Sequence, residues 1–441
     1  MESLLIWGCA LLLGAGLFVP YFLRFRAARR QDAARHDETE ALGMNRPVGQ
    51  YPLIDANACI GCGSCIAACP EGDVLGIVGG KAVITNGARC IGHGRCAEAC
   101  PVGALKVGLG DITTRDDIPV LSPELETNRP GIFVAGELGG FALVSNAVDQ
   151  GRRAMEAIAA RGPFPAGGSR WDAIVVGAGP GGLSAALTAR KLGLRCLVLD
   201  QQAPGGTILQ YPRRKLVLVQ PVEIPLFGML NQKEYSKEEL LGIWLRLHAE
   251  HDLKIHTDER LLNVTGTPGD LVVHTTAGEH RARHVVLALG RRGTPRKLGV
   301  PGEDAAKVAY RLIDATLYKG SRVLVVGGGD SAVEAAVAMA SQRDIEVTLS
   351  YRKPRLLRIK KRNADKIDAL IASGAVRFAG DTQLTAIQPD TISLATPTGP
   401  AILPNDFVFI FAGGDPPFPL LREIGVAFGG DQADIHQIVA L

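Results

Sequence analysis

From Ser3 to Leu23 the chain carries no charged residue, and then Arg24, Arg26, Arg29 and Arg30 follow. An uncharged run of roughly 20 residues is long enough to cross a hydrocarbon core as a helix. A cleaved signal peptide has a similar apolar centre, but it needs a basic segment before it and a small-x-small site after it. Neither is present, so the pattern predicts a membrane anchor over residues 1–26. Pro20 is tolerable inside such a helix. The arginines flank its C-terminal side, and the positive-inside bias then puts the rest of the protein on the cytoplasmic face of the inner membrane. Residues 27–50 are polar with no apolar period and predict a linker.

Farther along, short apolar runs alternate with helical ones. Trp171 to Val176 reads as a strand, Leu183 to Leu192 as a helix and Arg195 to Leu199 as a second strand. The same order recurs with a strand from Arg322, a helix over Ala332 to Ala340 and a strand over Glu346 to Leu349. Strand–helix–strand alternation of this kind predicts an α/β protein with parallel sheets.

Composition is that of an ordinary globular chain, with 46% hydrophobic and 21% charged residues, which excludes a wholly disordered protein. A net charge of +3 is too balanced to argue for a nucleic-acid partner. The cysteines change the picture more. Seven of nine fall between Cys59 and Cys100, a crowding that points to metal or redox chemistry rather than a disulfide scaffold.

Cys59, Cys62, Cys65 and Cys69-Pro70 form a C-x2-C-x2-C-x3-C-P run, and Cys90, His93, Cys96 and Cys100-Pro101 repeat it with a histidine at the second position. Three thiolates from one tight loop and a fourth from the other run suit an iron–sulfur cubane. Zinc also accepts thiolate and imidazole, but favours separated C-x2-C pairs. Residues 51–108 resemble the two-cluster bacterial ferredoxin module. The crossed pattern of that family implies a [4Fe-4S] cluster on Cys59, Cys62, Cys65 and Cys100. It implies a second cluster on Cys69, Cys90 and Cys96, with His93 where a cysteine would stand. Either the imidazole ligates the fourth iron, or the corner is empty and the cluster is [3Fe-4S].

Gly177-x-Gly179-Pro180-x-Gly182 follows the Trp171 strand and opens the next helix, with Asp200 at the end of the following strand. Such glycines let backbone N–H groups approach a pyrophosphate at a helix N-terminus, and the acid accepts from ribose hydroxyls. A second fingerprint, Gly327, Gly329, Asp330, Ser331 and Ala332, leads to a strand ending in Tyr351-Arg352-Lys353. Basic groups there suit a 2′-phosphate and favour NADPH over NADH. The basic run continues through Arg355, Arg358, Lys360, Lys361 and Arg362, as a solvated helix face or a docking patch for an acidic partner.

Two fingerprints in this order resemble the low-molecular-weight thioredoxin-reductase family of flavoproteins. That resemblance implies FAD at the first site and NAD(P)H at the second, in two doubly wound Rossmann-like domains. It also implies a glycine-rich loop near the flavin at Pro204-Gly205-Gly206-Thr207, beside Gln201. Leu287 to Gly290 looks like the crossover strand, and Asp406 to Gly413 like the strand leading back. The family's closing motif, E-T-x-x-P-G-I-F-x-A-G-D, is not near the C-terminus. Instead Glu126-Thr127-Asn128-Arg129-Pro130-Gly131-Ile132-Phe133-Val134-Ala135-Gly136-Glu137 stands upstream, and a helix over Asn146 to Ala160 follows it. A circular permutation is the simplest reading, because domain termini often lie close together. It predicts that Glu137, in place of the family's Asp, lies in the flavin site and away from the iron–sulfur module.

The expected order is thus an anchor (1–26), a linker (27–50), a ferredoxin-like domain (51–108), a displaced piece of the FAD domain (109–165), the FAD domain (166–294), the NAD(P)H domain (295–411) and a return segment (412–441). No cysteine lies between Ala305 and Gly320, where thioredoxin reductases carry their redox pair, and Cys196 reads as a buried strand residue. In this the chain looks more like ferredoxin–NAD(P) reductases and bacillithiol-disulfide-reductase-like proteins. The chemistry would fall to the flavin, with no catalytic side chain, and electrons would pass to or from a redox protein, a membrane quinone or a cytochrome. A cluster-fed disulfide or small-molecule reductase, and a redox-sensing or assembly subunit without turnover, are the alternatives. The family also implies a homodimer.

Overall fold

The computed structural model describes residues 2–45, 49–109, 115–141, 143–164, 168–213, 215–218, 221–232 and 234–430, so the end of the expected return segment, 431–441, lies outside the described residues. The chain divides into two units. One runs to Gly108 and includes Leu357–Arg362; the other holds Leu109–Leu356 and the chain from Asn363 onward.

The first unit starts with a 40-residue helix, Glu2–Ala41, about 60 Å long at the α-helical rise. It is the one helix among the described residues long and apolar enough to cross a membrane. Trp7, Leu11, Leu17 and Phe18 on it are exposed. The linker expected over 27–50 is therefore corrected: as far as Ala41 it is a continuation of this helix. It shows no apolar period because its contacts are polar. Ile77 N donates to Asp32 Oδ2 at 2.9 Å, His36 Nδ1 meets Ile84 O at 3.1 Å, and Thr39 Oγ1 donates to Thr85 O. Arg35 and Arg89 both pair with Asp73, at 3.2 and 2.9 Å. The helix thus satisfies edge groups of the small sheet beside it.

That sheet is an antiparallel pair, Leu75–Val78 with Lys81–Ile84, and a second pair joins Tyr51–Ile54 to Leu105–Gly108. Short helices Ser64–Ala68 and Arg95–Glu98 follow the first two metal-type positions of each run and carry the third, Cys65 and Cys96. Both open on a left-handed glycine, Gly63 at φ 81° and Gly94 at φ 86°, a conformation costly for any residue with a Cβ. Of the basic run, only Lys361 and Arg362 fall on a helix, Lys361–Ala372, so it is not one solvated helix face. Asn86 Nδ2 donates to Leu357 O at 2.7 Å, fixing the loop before that helix within this unit.

In the second unit, a seven-stranded sheet carries the first fingerprint. Its order is Ile255–His256, Cys196–Leu199, Trp171–Val176, Glu279–Leu287, Asp270–Thr275, Leu261–Thr267, and Ile132–Val134 also pairs with Glu279–Leu287. That last pairing is parallel, Ile132 with Val285, Phe133 with Val286 and Val134 with Leu287. The displaced motif therefore lies in the sheet of the first fingerprint although it precedes it in sequence. Helix Val144–Ala159 follows and packs on helix Pro180–Lys191, burying Val148, Met155 and Ile158 with Leu183 and Leu187. The helices meet closely: a Cβ on Gly151 would stand 2.0 Å from Gly181 O.

The tail returns to the same sheet. Helix Phe418–Ile424 and Phe428 join its core, and Val120 N donates to Ala427 O at 2.9 Å. Arg129 of the displaced motif donates to Ile424 O at 2.7 Å and to Val264 O at 3.1 Å. A five-stranded parallel sheet carries the second fingerprint, in the order Val308–Ala309, Phe407–Ile410, Arg322–Val326, Glu346–Ser350, Val376–Ala379. Mixed α/β architecture with two dinucleotide-type sheets and a small ferredoxin-like module is what the sequence predicts.

Gly151→Val drives a branched side chain into the Gly181 carbonyl. It is expected to destabilise the second unit by about 3 kcal/mol, the upper end for overpacking, measured by chemical unfolding. Arg152→Ala, a surface change one residue away, costs about 0.5 kcal/mol or less.

Candidate cofactor sites

Two cavities in the first unit are lined by the two cysteine sets. One, with about 270 Å³ of empty space, brings together Cys59, Cys62, Cys65 and Cys100. The other, about 350 Å³, brings together Cys69, Cys90, His93 and Cys96. The crossed grouping arises because each run ends by crossing over: Cys69 and Cys100 close the opposite loops.

Burial raises the thiols of Cys65, Cys69 and Cys96, and pushes Cys90 up to about 11. Neighbouring thiols add to this, Cys69 and Cys96 on Cys90. Buried thiols set this close do not favour ionising together, and a multivalent cationic centre would reverse that, since thiolates are the ligating form. Burial also lowers His93, with Arg95 and Lys360 contributing, so its imidazole is neutral at neutral pH and keeps a lone pair. Backbone N–H groups point at two sulfurs, Ala82 N to Cys59 Sγ at 3.4 Å and Ala104 N to Cys100 Sγ at 3.2 Å. Cys62 is exposed, and the Ser64 hydroxyl lowers its thiol; the donor set and these N–H···S contacts fit iron–sulfur clusters.

In the second unit, strand Trp171–Val176 ends at Gly177 and helix Pro180–Lys191 starts after Gly179. A Cβ on Gly182 would lie 1.8 Å from Gly177 O, so the turn closes only with glycine there. Asp200 holds the turn: Ala178 N donates to Oδ2 at 2.6 Å and Gln202 N to Oδ1 at 2.8 Å. Burial raises its carboxyl against the pull of those donors. The glycine-rich loop folds back on the same turn, Gly205 N donating to Ala178 O at 2.8 Å, with Gly206 against Gly179. Thr207 lies in the short helix that follows, and Gln201 is exposed beside Asp200.

Gly136 and Glu137 follow the displaced strand in this unit, not in the iron–sulfur unit. Gly136 N donates to Gln150 Oε1 at 2.8 Å, and a Cβ on Gly181 would lie 3.8 Å from the Ala135 carbonyl carbon. Burial raises the Glu137 carboxyl, opposed by Arg292 and Arg291, which follow the crossover strand and Gly290. In the first turn of helix Val144–Ala159, Ser145 Oγ is buried without a hydrogen-bond partner. A buried orphan hydroxyl is costly unless a ligand completes it. Together with the glycine cradle, it shows that these residues fit a bound dinucleotide.

The second fingerprint is built alike. Gly327 N donates to Ser350 O at 2.9 Å and helix Asp330–Ala340 opens with Asp330, Ser331 and Ala332. Tyr351 is buried with its ring against Gly328, where a Cβ would meet it at 2.2 Å. Asp330 Oδ1 accepts from Asn363 Nδ2 at 2.6 Å, and Glu334 pairs with Lys215 at 2.7 Å. Arg352 is exposed and Lys353 half-buried.

Sequence reasoning missed Ser145 and the Arg291–Arg292 pair near Glu137, and named Tyr351 without the packing of its ring on Gly328. No sequence signal marks Ser145: the helix starts at Val144, two residues before the expected Asn146. No exposed thiol accompanies the flavin-type site among the described residues. Cys196 is pushed up to about 12, by burial and then by Asp172, which leaves it a protonated thiol at neutral pH.

Fold and sites together define a pyridine-nucleotide flavoprotein carrying a ferredoxin module. Residues 174–436 match the family described as pyridine nucleotide-disulphide oxidoreductase, and the chain belongs to it. Residues 51–101 match the 4Fe-4S dicluster domain. The chain is 30% identical over 271 residues to a ferredoxin–NADP reductase of Ignicoccus hospitalis, covering 59% of this chain and 83% of that one. It is 26% identical over 260 residues to the bacilliredoxin reductase Bdr of Bacillus subtilis, covering 58% and 80%. Among solved structures it resembles the bacillithiol disulfide reductase Bdr of Bacillus cereus, at 25% identity and TM-score 0.53, over 58% and 82% of the two chains. The protein is an FAD-dependent pyridine-nucleotide oxidoreductase with a 4Fe-4S ferredoxin domain.

Ser145→Ala tests the orphan hydroxyl. It is expected to weaken FAD binding about tenfold, the worth of one hydrogen bond, while leaving the FAD-free protein as stable or more so. FAD titration by fluorescence quenching reads the first effect and thermal unfolding the second. Unchanged affinity places the hydroxyl off the flavin.

Proposed function

We propose that the protein is a membrane-anchored, cytoplasm-facing NAD(P)H oxidoreductase that relays electrons between NAD(P)H, FAD and two iron–sulfur clusters, to or from a redox protein, quinone or cytochrome. The observation that carries this is the joint presence of two dinucleotide cradles and two cysteine-lined cavities in one chain. The nicotinamide exchanges electrons in pairs, the flavin in pairs or singly, and each cluster singly.

The residues divide the work of holding these groups. The fingerprint at Gly177, Gly179, Pro180 and Gly182 offers backbone N–H groups to the FAD pyrophosphate. Asp200 fixes that turn and faces the ribose side; Gly206, Thr207, Gly290, Gly136, Glu137 and Ser145 complete the flavin site. Gly327, Gly329 and the start of helix Asp330–Ala340 hold the NAD(P)H pyrophosphate. Arg352 and Lys353 supply positive charge for a 2′-phosphate, which favours NADPH. Cys59, Cys62, Cys65 and Cys100 hold a [4Fe-4S] cluster. Cys69, Cys90 and Cys96 hold the second with His93, whose neutral imidazole reduces the negative charge and raises the potential.

The anchor reading rests on exposed apolar side chains of helix Glu2–Ala41 such as Leu11, Leu17 and Phe18, and on the arginines that follow them. A homodimer is carried over from the family resemblance.

Anaerobic titration with NADPH, then NADH, followed by absorbance and EPR, is the test. NADPH is expected to reduce the flavin and then bring up cluster signals, at lower concentration than NADH. Cys100→Ser is expected to abolish one cluster signal and Cys69→Ser the other, and His93→Cys to make the second potential more negative. A bleached flavin with silent clusters overturns the relay; loss of the same signal in both cysteine variants overturns the crossed ligation.

A further inference from the structure

A cluster of titratable side chains apart from both fingerprints lies where the edge of the large sheet meets its antiparallel strands. His256 ends the strand Ile255–His256, Glu259 lies in the turn after it, and His280 is the second residue of the strand Glu279–Leu287. Glu259 Oε2 lies 3.1 Å from His256 Nδ1, and Glu259 Oε1 lies 2.6 Å from His280 Nε2. The ligand atoms of all three residues are within 4.8 Å of one another.

Ligands about 2.0–2.2 Å from a zinc-type ion stand about 3–4 Å apart on its coordination sphere. These donors need little rearrangement to reach that spacing. The imidazoles meet edge to face, with ring centroids 5.7 Å apart. Glu259 is buried, and Thr275 Oγ1 donates to its Oε1 at 2.6 Å, orienting the carboxylate from behind as metal-site partners do. His256 is exposed, which leaves a face open to water. The donor set is two imidazole nitrogens and one carboxylate, and nitrogen donors select first-row transition ions over calcium or magnesium.

We propose that His256, Glu259 and His280 form a binding site for a divalent transition-metal ion of the zinc type, with water completing the sphere. The site backs the first dinucleotide cradle: Asp200 N donates to His256 O, and Glu259 N donates to Asp200 O, both at 2.9 Å. The ion therefore clamps the turn behind Asp200 and secures bound FAD. This second role rests on the FAD reading above, whereas the ion count does not.

The full-length protein, loaded with FAD and clusters, is dialysed to equilibrium against zinc sulfate, beside the surface variant His256→Ala. Iron is assayed in both, so zinc taken up by vacated cluster cavities cancels in the difference. The wild type is expected to bind one more zinc per chain. Its thermal release of FAD, read by fluorescence, is expected to shift up by about 5 °C or more at a hundredfold excess over Kd, with no shift in the variant. Equal zinc content in the two proteins overturns the site and leaves a hydrogen-bonded triad. Extra zinc without the thermal shift keeps the site and overturns the clamp.

Discussion

Three backbone pairs, Ile132 with Val285, Phe133 with Val286 and Val134 with Leu287, are what the flavin-type unit depends on. They bring a strand from before the first fingerprint into the middle of its sheet. Everything downstream follows from that register. Gly136 and Glu137 are delivered to the end of the strand, and helix Val144–Ala159 is laid on helix Pro180–Lys191 with its first turn at the site. Arg129 and Asn128 then hold the tail, Asn128 Oδ1 accepting from Ala427 N at 2.8 Å. A fold closed in this way has no need of a closing motif at its C-terminus. The position before the displaced strand becomes free to accept another module, and the ferredoxin-like residues stand there.

The cysteine cavities rest on a different balance. Enclosure makes a bare thiolate expensive, as the raised thiols of Cys90, Cys69 and Cys96 show. The second cavity departs from the first by one uncharged donor, His93, with Lys360 and Arg95 adding positive charge nearby. Both changes favour the electron-rich state of whatever centre is held. The two cavities are therefore lined by corresponding positions of the two runs and differ in electrostatics.

What the sequence made legible was local. Glycine turns between a strand and a helix, cysteine spacing in a tight loop and the displaced Glu126–Glu137 motif are all readable because each constraint acts within a few residues. The rest depended on partners far along the chain. The helix beyond Arg26 shows no apolar period because Asp32, His36 and Thr39 bond the edges of strands more than forty residues away. Ser145 matters through the lack of a partner, which no pattern records. His256, Glu259 and His280 come from separate elements and acquire meaning only when the sheet edge brings them together. The basic run looked like one feature, yet it is divided between a loop and a helix start.

The continuity of helix Glu2–Ala41 constrains what the iron–sulfur unit can reach. A flexible linker would let that unit sample a wide range of heights above a bilayer. Here the residues that grip the small sheet, Asp32 to Thr39, lie on the same helix as the apolar run. Between Arg24 and Asp32 the helix rises only about 12 Å. The small sheet is therefore held at a set rise from the apolar run rather than on a flexible tether. The polar side-chain-to-backbone bonds along Asp32 to Thr39 are what couple the apolar half of the helix to the small sheet of the iron–sulfur unit.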